Sequence, residues 1–167
     1  MAGRPDDGPV ALDRLVLVGH SAGGQLALWA GARRGLPAGT VGASPQVTPR
    51  AVVALSPVTD LAGCARQGAL EGTCAEVVGG PPDQVPGRYA RTSPLELTPL
   101  GLPQRLFHGT VDTVIPLDQS RAYVAAAAAA GDDATLTEQA DANHFSVLDP
   151  STPAWREVRA QLDQLLA

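Results

Sequence analysis

Apolar positions along this chain fall into runs of two kinds. Leu15-Val16-Leu17-Val18, ending at Gly19, and Ala51-Val52-Val53-Ala54-Leu55, ended by Ser56-Pro57, are short and uninterrupted. Such runs suit strands buried on both faces of a parallel sheet. Gln104-Arg105-Leu106-Phe107, leading into His108-Gly109-Thr110, predicts a third strand, and the alternation from Ala134 to Gln139 a fourth. Three further segments read as helices. Gly24 to Arg34 is rich in Ala and Leu and closes on Arg33-Arg34-Gly35, cations and then a glycine, which marks a helix end. Leu117 to Ala130 ends in six consecutive alanines with Gly131 as its stop. Pro153 suits a first helical turn, after which Val158, Leu162, Leu165 and Leu166 share one face.

Between these elements lie two breaker-rich stretches. Pro37 to Pro49 reads as a loop. Thr59 to Pro103 is crowded with glycine and proline and leaves room only for short helices, about Ala75 to Val78 and Pro86 to Arg91. We read this second stretch, about 59–103, as a cap-like excursion on the substrate side. The order is β-α-β-(cap)-β-α-β-α, an α/β pattern with a mostly parallel sheet and flanking helices. A length of 167 residues, 44% of them hydrophobic, is enough for one core, so 1–167 is expected to be a single domain.

Charge narrows the partners. Twelve basic residues, all arginine, against 17 acidic ones give a net charge of −5 without long like-charge blocks, which points away from nucleic acid and anionic membranes. The start, Met1 to Asp13, is polar and lacks the charged and apolar segments of a signal peptide, and no apolar run approaches membrane-spanning length. A soluble, cytoplasmic protein is expected. Cys64 and Cys74 match no zinc spacing, and in the absence of an export signal they are expected to be free, a local disulfide being the alternative.

The chemistry begins at Gly19-His20-Ser21-Ala22-Gly23, a G-x-S-x-G placed between a predicted strand and a predicted helix. A serine there is held out of a tight, strained turn, and Gly19 and Gly23 are expected to remove Cβ atoms that would collide across it. The N–H of Ala22, at the positive end of the helix, is aimed where an oxyanion would form. A serine hydroxyl needs a base, and the base needs a partner that fixes its tautomer.

Of the three histidines, His20 lies inside the turn and is expected to point away from the nucleophile. His108 ends a strand and is expected to support its loop by hydrogen bonding. His144, directly after the last strand in Asn143-His144-Phe145, remains as base, at the carboxyl edge where parallel-sheet sites gather. Asp112, just past the third strand, is the acid; the interval to His144 accommodates one helix and one strand. Its rivals are Asp118, read as a helix cap, Asp141, read as solvated, and Asp60. The chain order Ser, Asp, His is that of the fold in which G-x-S-x-G turns occur.

Four segments together, Gly19-His20-Ser21-Ala22-Gly23-Gly24, Val53-Ala54-Leu55-Ser56-Pro57-Val58-Thr59-Asp60-Leu61, His108-Gly109-Thr110-Val111-Asp112-Thr113-Val114-Ile115-Pro116 and Asn143-His144-Phe145, resemble the α/β-hydrolase superfamily. The resemblance is closest to its esterase/lipase and kynurenine-formamidase-like members and more distant to prolyl-oligopeptidase peptidase domains. It runs from Arg14 onward. It implies Ser21 as nucleophile, Asp112 as acid, His144 as base and the Ala22 amide as one oxyanion donor.

The same resemblance implies several strands before the turn and an upstream His-Gly-Gly-type loop that gives the second oxyanion amide. Neither is found in this sequence, so a partial fold lacking the N-terminal strands is expected. Three origins fit: a reading frame that begins late, a split enzyme completed by another polypeptide, or a remnant of low activity. Leu15 to Val18 should then be an exposed apolar edge, open to self-association or to a complementing N-terminal half. The implied reaction is cleavage of a small carboxylic ester, or a related formamide or amide, through an acyl-serine without metal or organic cofactor. A weakly active fragment and a prolyl-oligopeptidase-type peptidase are the alternatives.

Overall fold

A computed structural model of the chain describes residues 11–66 and 70–167. The expectation for the extreme N-terminus falls largely outside them. Four strands, β1 (Val16–His20), β2 (Ala51–Leu55), β3 (Gln104–Gly109) and β4 (Ala134–Gln139), form one parallel sheet in the order β1-β2-β3-β4. All four predicted strands are present. β1 runs on through Gly19 and His20, which pair with Ala54 and Leu55, so it ends later than its apolar run.

Three connections cross between these strands. α1 (Ala22–Ala32) links β1 to β2, α5 (Leu117–Ala129) links β3 to β4, and α6 (Pro153–Leu166) follows β4. The link from β2 to β3 carries α2 (Leu61–Arg66), α3 (Glu71–Val78) and α4 (Pro86–Thr92). α2 was not expected: six residues that include Gly63 show no helical period.

Both faces of the sheet are covered. On one, Ala27 and Leu28 of α1 and Tyr123 and Ala127 of α5 pack on Val52, Ala54 and Leu106. On the other, Val158 and the half-buried Trp155, Leu162 and Leu165 of α6 cover Val53, Leu55 and Phe107. β2 is therefore buried along its whole length, which is why its sequence is apolar without alternation. α6 starts where expected, with Pro153 in its first turn and the Thr152 hydroxyl accepting from the Trp155 N–H at 3.2 Å.

The excursion has its own small core of Val58, Leu61, Cys64, Cys74, Val78, Tyr89 and Ile115. Cys64 and Cys74 are bonded to each other there, which corrects the expectation of free thiols. The physical reason is local folding: α2 and α3 turn both cysteines inward, bringing their Cα atoms to 6.1 Å, within the range of a disulfide. Sequence spacing alone carries no such information.

Among the described residues β1 lies at the edge of the sheet, paired with β2 alone, and its Val18 is 48% exposed. This is the apolar edge that the sequence led us to expect. No helix among the described residues is long and apolar enough to cross a membrane.

Candidate active site

The carboxyl ends of β1, β3 and β4 deliver the three candidate residues to one edge of the sheet. Ser21 follows β1 directly and caps α1 with φ 55° and ψ −120°, a left-handed backbone that costs an L-residue about 1–3 kcal/mol. The turn is pinned from three sides. Ser21 N–H donates to the Leu55 carbonyl at 2.9 Å, and its own carbonyl accepts from Gln25 N–H and Val58 N–H.

Gly19 is required by close approach, since a Cβ there would run into the Gly23 carbonyl. The expectation for Gly23 is corrected: a Cβ at that position meets nothing within 4 Å. The second crowded glycine is Gly24, where a Cβ would lie 2.8 Å from that of Pro57. Ala22 occupies the first position of α1, among the amides with no acceptor inside the helix.

The acid and the base are held by interlocked loops. Val111 N–H donates to the Ala142 carbonyl, and Asp141 N–H donates to the Thr110 hydroxyl at 3.0 Å. Asn143 accepts from the amides of Phe145 and Ser146, which shapes the bend that carries His144.

Asp112 and His144 meet as expected. His144 Nδ1–H donates to Asp112 Oδ2 at 2.7 Å, and both side chains are almost entirely buried, 5% and 0% exposed. A carboxylate accepts, so the proton of a neutral imidazole lies on Nδ1 and Nε2 keeps its lone pair. The other carboxylate oxygen, Oδ1, accepts from Val114 N–H at 2.8 Å and Ile115 N–H at 2.9 Å. Burial, the largest single influence on this carboxyl, pushes its pKa up. The His144 bond, the two amides and the His144 charge together outweigh it and hold the pKa below the ordinary value.

The other two histidines flank this pair. His108 supports its loop as expected. Its Nε2 faces two acceptors, the Ile115 carbonyl at 3.0 Å and Asp112 Oδ2 at 3.3 Å, so Nε2 carries the proton and Nδ1 accepts from the Ser120 hydroxyl at 2.8 Å. Burial lowers its pKa and favours the neutral form.

His20, expected to point away from the nucleophile, is bound to the base loop. Its Nε2–H donates to the His144 backbone carbonyl at 2.8 Å, and the two rings lie 4.5 Å apart between centroids. No periodic or motif signal marked this contact, because it joins residues 124 positions apart. Ser21 Oγ, by contrast, makes no hydrogen bond to the imidazole among the described residues; such contacts are often long before substrate binds.

The rival acids are elsewhere engaged. Asp118 is not a cap but a first-turn residue of α5 paired with Arg121 at 3.0 Å. Asp60 accepts from Gly63 N–H, and Asp141 is exposed. Among the described residues no cluster of three His, Cys, Asp or Glu side chains could hold a metal ion. Two depressions open on the excursion. One of about 540 Å³, lined by Gln25, Leu26, Trp29, Leu61, Val77 and Arg91, begins one helical turn beyond Ser21. The other, about 480 Å³, lies against the Asp112 loop at Val114 and Ile115. Neither is lined by Ser21 or His144.

A parallel sheet covered on both faces, with a strained serine turn opening a helix and an Asp–His pair on later loops, is an α/β-hydrolase fold. The chain belongs to the BD-FAE family, whose profile matches residues 9–126. Solved structures agree on the fold. A truncated form of a carbohydrate esterase from gut microbiota superposes with a TM-score of 0.74 at 22% identity, over 89% of this chain and 58% of that one. The Est2 esterase of Thermogutta terrifontis gives 0.66 at 24%, over 90% and 53%. The acylaminoacyl peptidase of Pyrococcus horikoshii gives 0.67 at 18%, over 89% and 22%. The chain thus spans little more than half the length of the esterases it matches. Curated protein sequences give no match.

Proposed function

We propose that this chain carries the catalytic residues of a serine hydrolase that cleaves small carboxylic esters through an acyl-serine. The observation that carries the reading is the buried 2.7 Å bond from His144 Nδ1–H to Asp112, which leaves Nε2 as the basic nitrogen. In this mechanism His144 takes the Ser21 proton as Oγ attacks the carbonyl carbon, and the Ala22 amide donates to the oxyanion. The C–O bond to the leaving alcohol then breaks as His144 returns the proton to it. Water, deprotonated by the same nitrogen, releases the acid and frees Ser21.

A formamide or other amide would follow the same steps with an amine leaving. The esterases among the similar structures support the ester reading, and the acylaminoacyl peptidase supports the peptidase alternative.

Intact-mass detection of fluorophosphonate labelling tests the reading, on the full chain beside Ser21→Ala, with circular dichroism of both. Labelling of the parent alone is expected. A folded parent that stays unlabelled means the chain is no hydrolase by itself. Short acyl esters against short peptides then separate esterase from peptidase.

A further inference from the structure

We infer that His20 is a positioning residue that ties the nucleophile turn directly to the loop carrying the base. The inference rests on the serine-hydrolase reading of Ser21, Asp112 and His144. Its starting point is the sheet order. Ser21 follows β1 and His144 follows β4, the first and last strands among the described residues, so the serine turn and the base loop stand apart along the carboxyl end of the sheet. Asp112, after β3, neighbours the base loop and is bound to it, but it makes no hydrogen bond to the serine turn among the described residues.

His20 spans that distance. It is the last residue of β1, and its backbone position is set by pairing with Leu55. Its Nε2–H donates at 2.8 Å to the backbone carbonyl of the base itself, and its ring lies against the His144 ring at 4.5 Å and near Phe145 at 6.0 Å. Among the described residues no other hydrogen bond joins the turn of residues 19–25 to the loop of residues 141–148. The other bonds of the base loop run within it, to Gln139 at the end of β4, to Thr152 ahead of α6 and to the loop that bears Asp112.

The chemistry fits an uncharged tether. A carbonyl accepts only, so the Nε2–H tautomer satisfies it and no second proton is needed. Burial, the largest influence on His20, lowers its pKa and keeps the ring neutral; a charge beside His144 would oppose the imidazolium that forms during catalysis. His20 touches no reacting atom in this scheme. It sets where the base sits, and errors of about 1 Å in such a placement can cost about 100-fold in rate.

His20→Leu and His20→Gln in the full chain test this, since the glutamine amide can donate as the imidazole does. His20→Leu is expected to slow ester turnover and fluorophosphonate labelling about 10- to 100-fold with KM within about twofold, while His20→Gln recovers most of the rate. Hydrogen exchange of the Phe145 and Ser146 amides, which needs no activity, should quicken in His20→Leu and return towards the parent in His20→Gln. Equal rates in His20→Leu and parent, or equal losses in both variants, overturn the tether. A parent that is folded but unlabelled overturns the hydrolase reading instead, and the exchange measurement then decides the tether alone: unchanged protection in His20→Leu sinks it.

Discussion

Asp112 and His144, 32 residues apart in sequence, share a buried 2.7 Å hydrogen bond whose acceptor carboxylate is held on its other oxygen by the amides of Val114 and Ile115. The carboxylate is thus fixed before it meets the imidazole. Its role is to keep the imidazole proton on Nδ1, and an amide at this position could present its NH2 instead and favour the opposite tautomer. Asp112→Asn is expected to lower kcat about 10,000-fold with the chain still folded, read by ester hydrolysis beside circular dichroism. Activity within tenfold of the parent would remove Asp112 from the role of acid.

Stability should fall in acid in two stages. His108 and His20 both have pKa values lowered by burial from 6.5, so their neutral forms favour the fold. The unfolded chain binds protons on these groups first, so their contribution is full above pH 6.5 and is lost as pH falls through the lower folded values. Asp112, also depressed, contributes fully above its ordinary 3.8 and loses that contribution below it. Melting temperatures across pH 3 to 8 should therefore decline below about 6.5 and again below about 4, and His108→Gln should soften the first decline. A flat profile between 5 and 7 would contradict the buried neutral histidines.

Gly19 and Gly23 flank the same serine but should respond oppositely to alanine. At Gly19 the added carbon meets the Gly23 carbonyl and the Gly24 nitrogen, backbone that cannot move without rebuilding the turn. At Gly23 it meets open space inside α1, where alanine is favoured by about 1 kcal/mol. Urea unfolding should show Gly19→Ala strongly destabilised or unfolded and Gly23→Ala equal to the parent or better. Similar losses in both would mean that the turn is not packed in this way.

The contrast between these glycines shows what a sequence can disclose. Strands such as Ala51–Leu55 were legible because burial on both faces leaves an unbroken apolar run, and α5 because six consecutive alanines favour a helix that Gly131 stops. Ser21, Asp112 and His144 could be picked out because each follows a legible strand, and of these the structure joins the last two. What escaped depends on contacts that exist only in the folded chain. The His20 contact with His144, the crowding at Gly24 by Pro57, and the facing of Cys64 to Cys74 each require the chain to be folded before the partners are neighbours. α2 escaped because its burial belongs to the core of the excursion and not to the main sheet.

The Cys64–Cys74 bond should act on the excursion more than on the sheet. It joins α2 to α3 and sits in a core that the sheet's two cores do not share. Closing so short a loop restrains the unfolded chain by about 2–3 kcal/mol. Cys64→Ser with Cys74→Ser should lower the unfolding free energy by about that amount, with hydrogen exchange quickening over residues 70–92 and little changed in β2 and β3. Alkylation without reductant should add no mass to the parent. Two alkylated thiols in freshly purified protein would place this bond outside the native state.

Val18 makes the edge of the sheet a matter of solution behaviour. Among the described residues β1 has one neighbour, and its other side offers backbone groups beside an apolar side chain that is 48% exposed. Natural edges are usually blunted by charge, proline or a covering element, and Val16 to Val18 carries neither charge nor proline. The chain is therefore expected to self-associate with rising concentration, and Val18→Lys, which puts a charge at the most exposed position of β1, should shift it towards monomer. Light scattering across a hundredfold concentration range reads the effect. A parent that remains monomeric throughout counts against association through this edge.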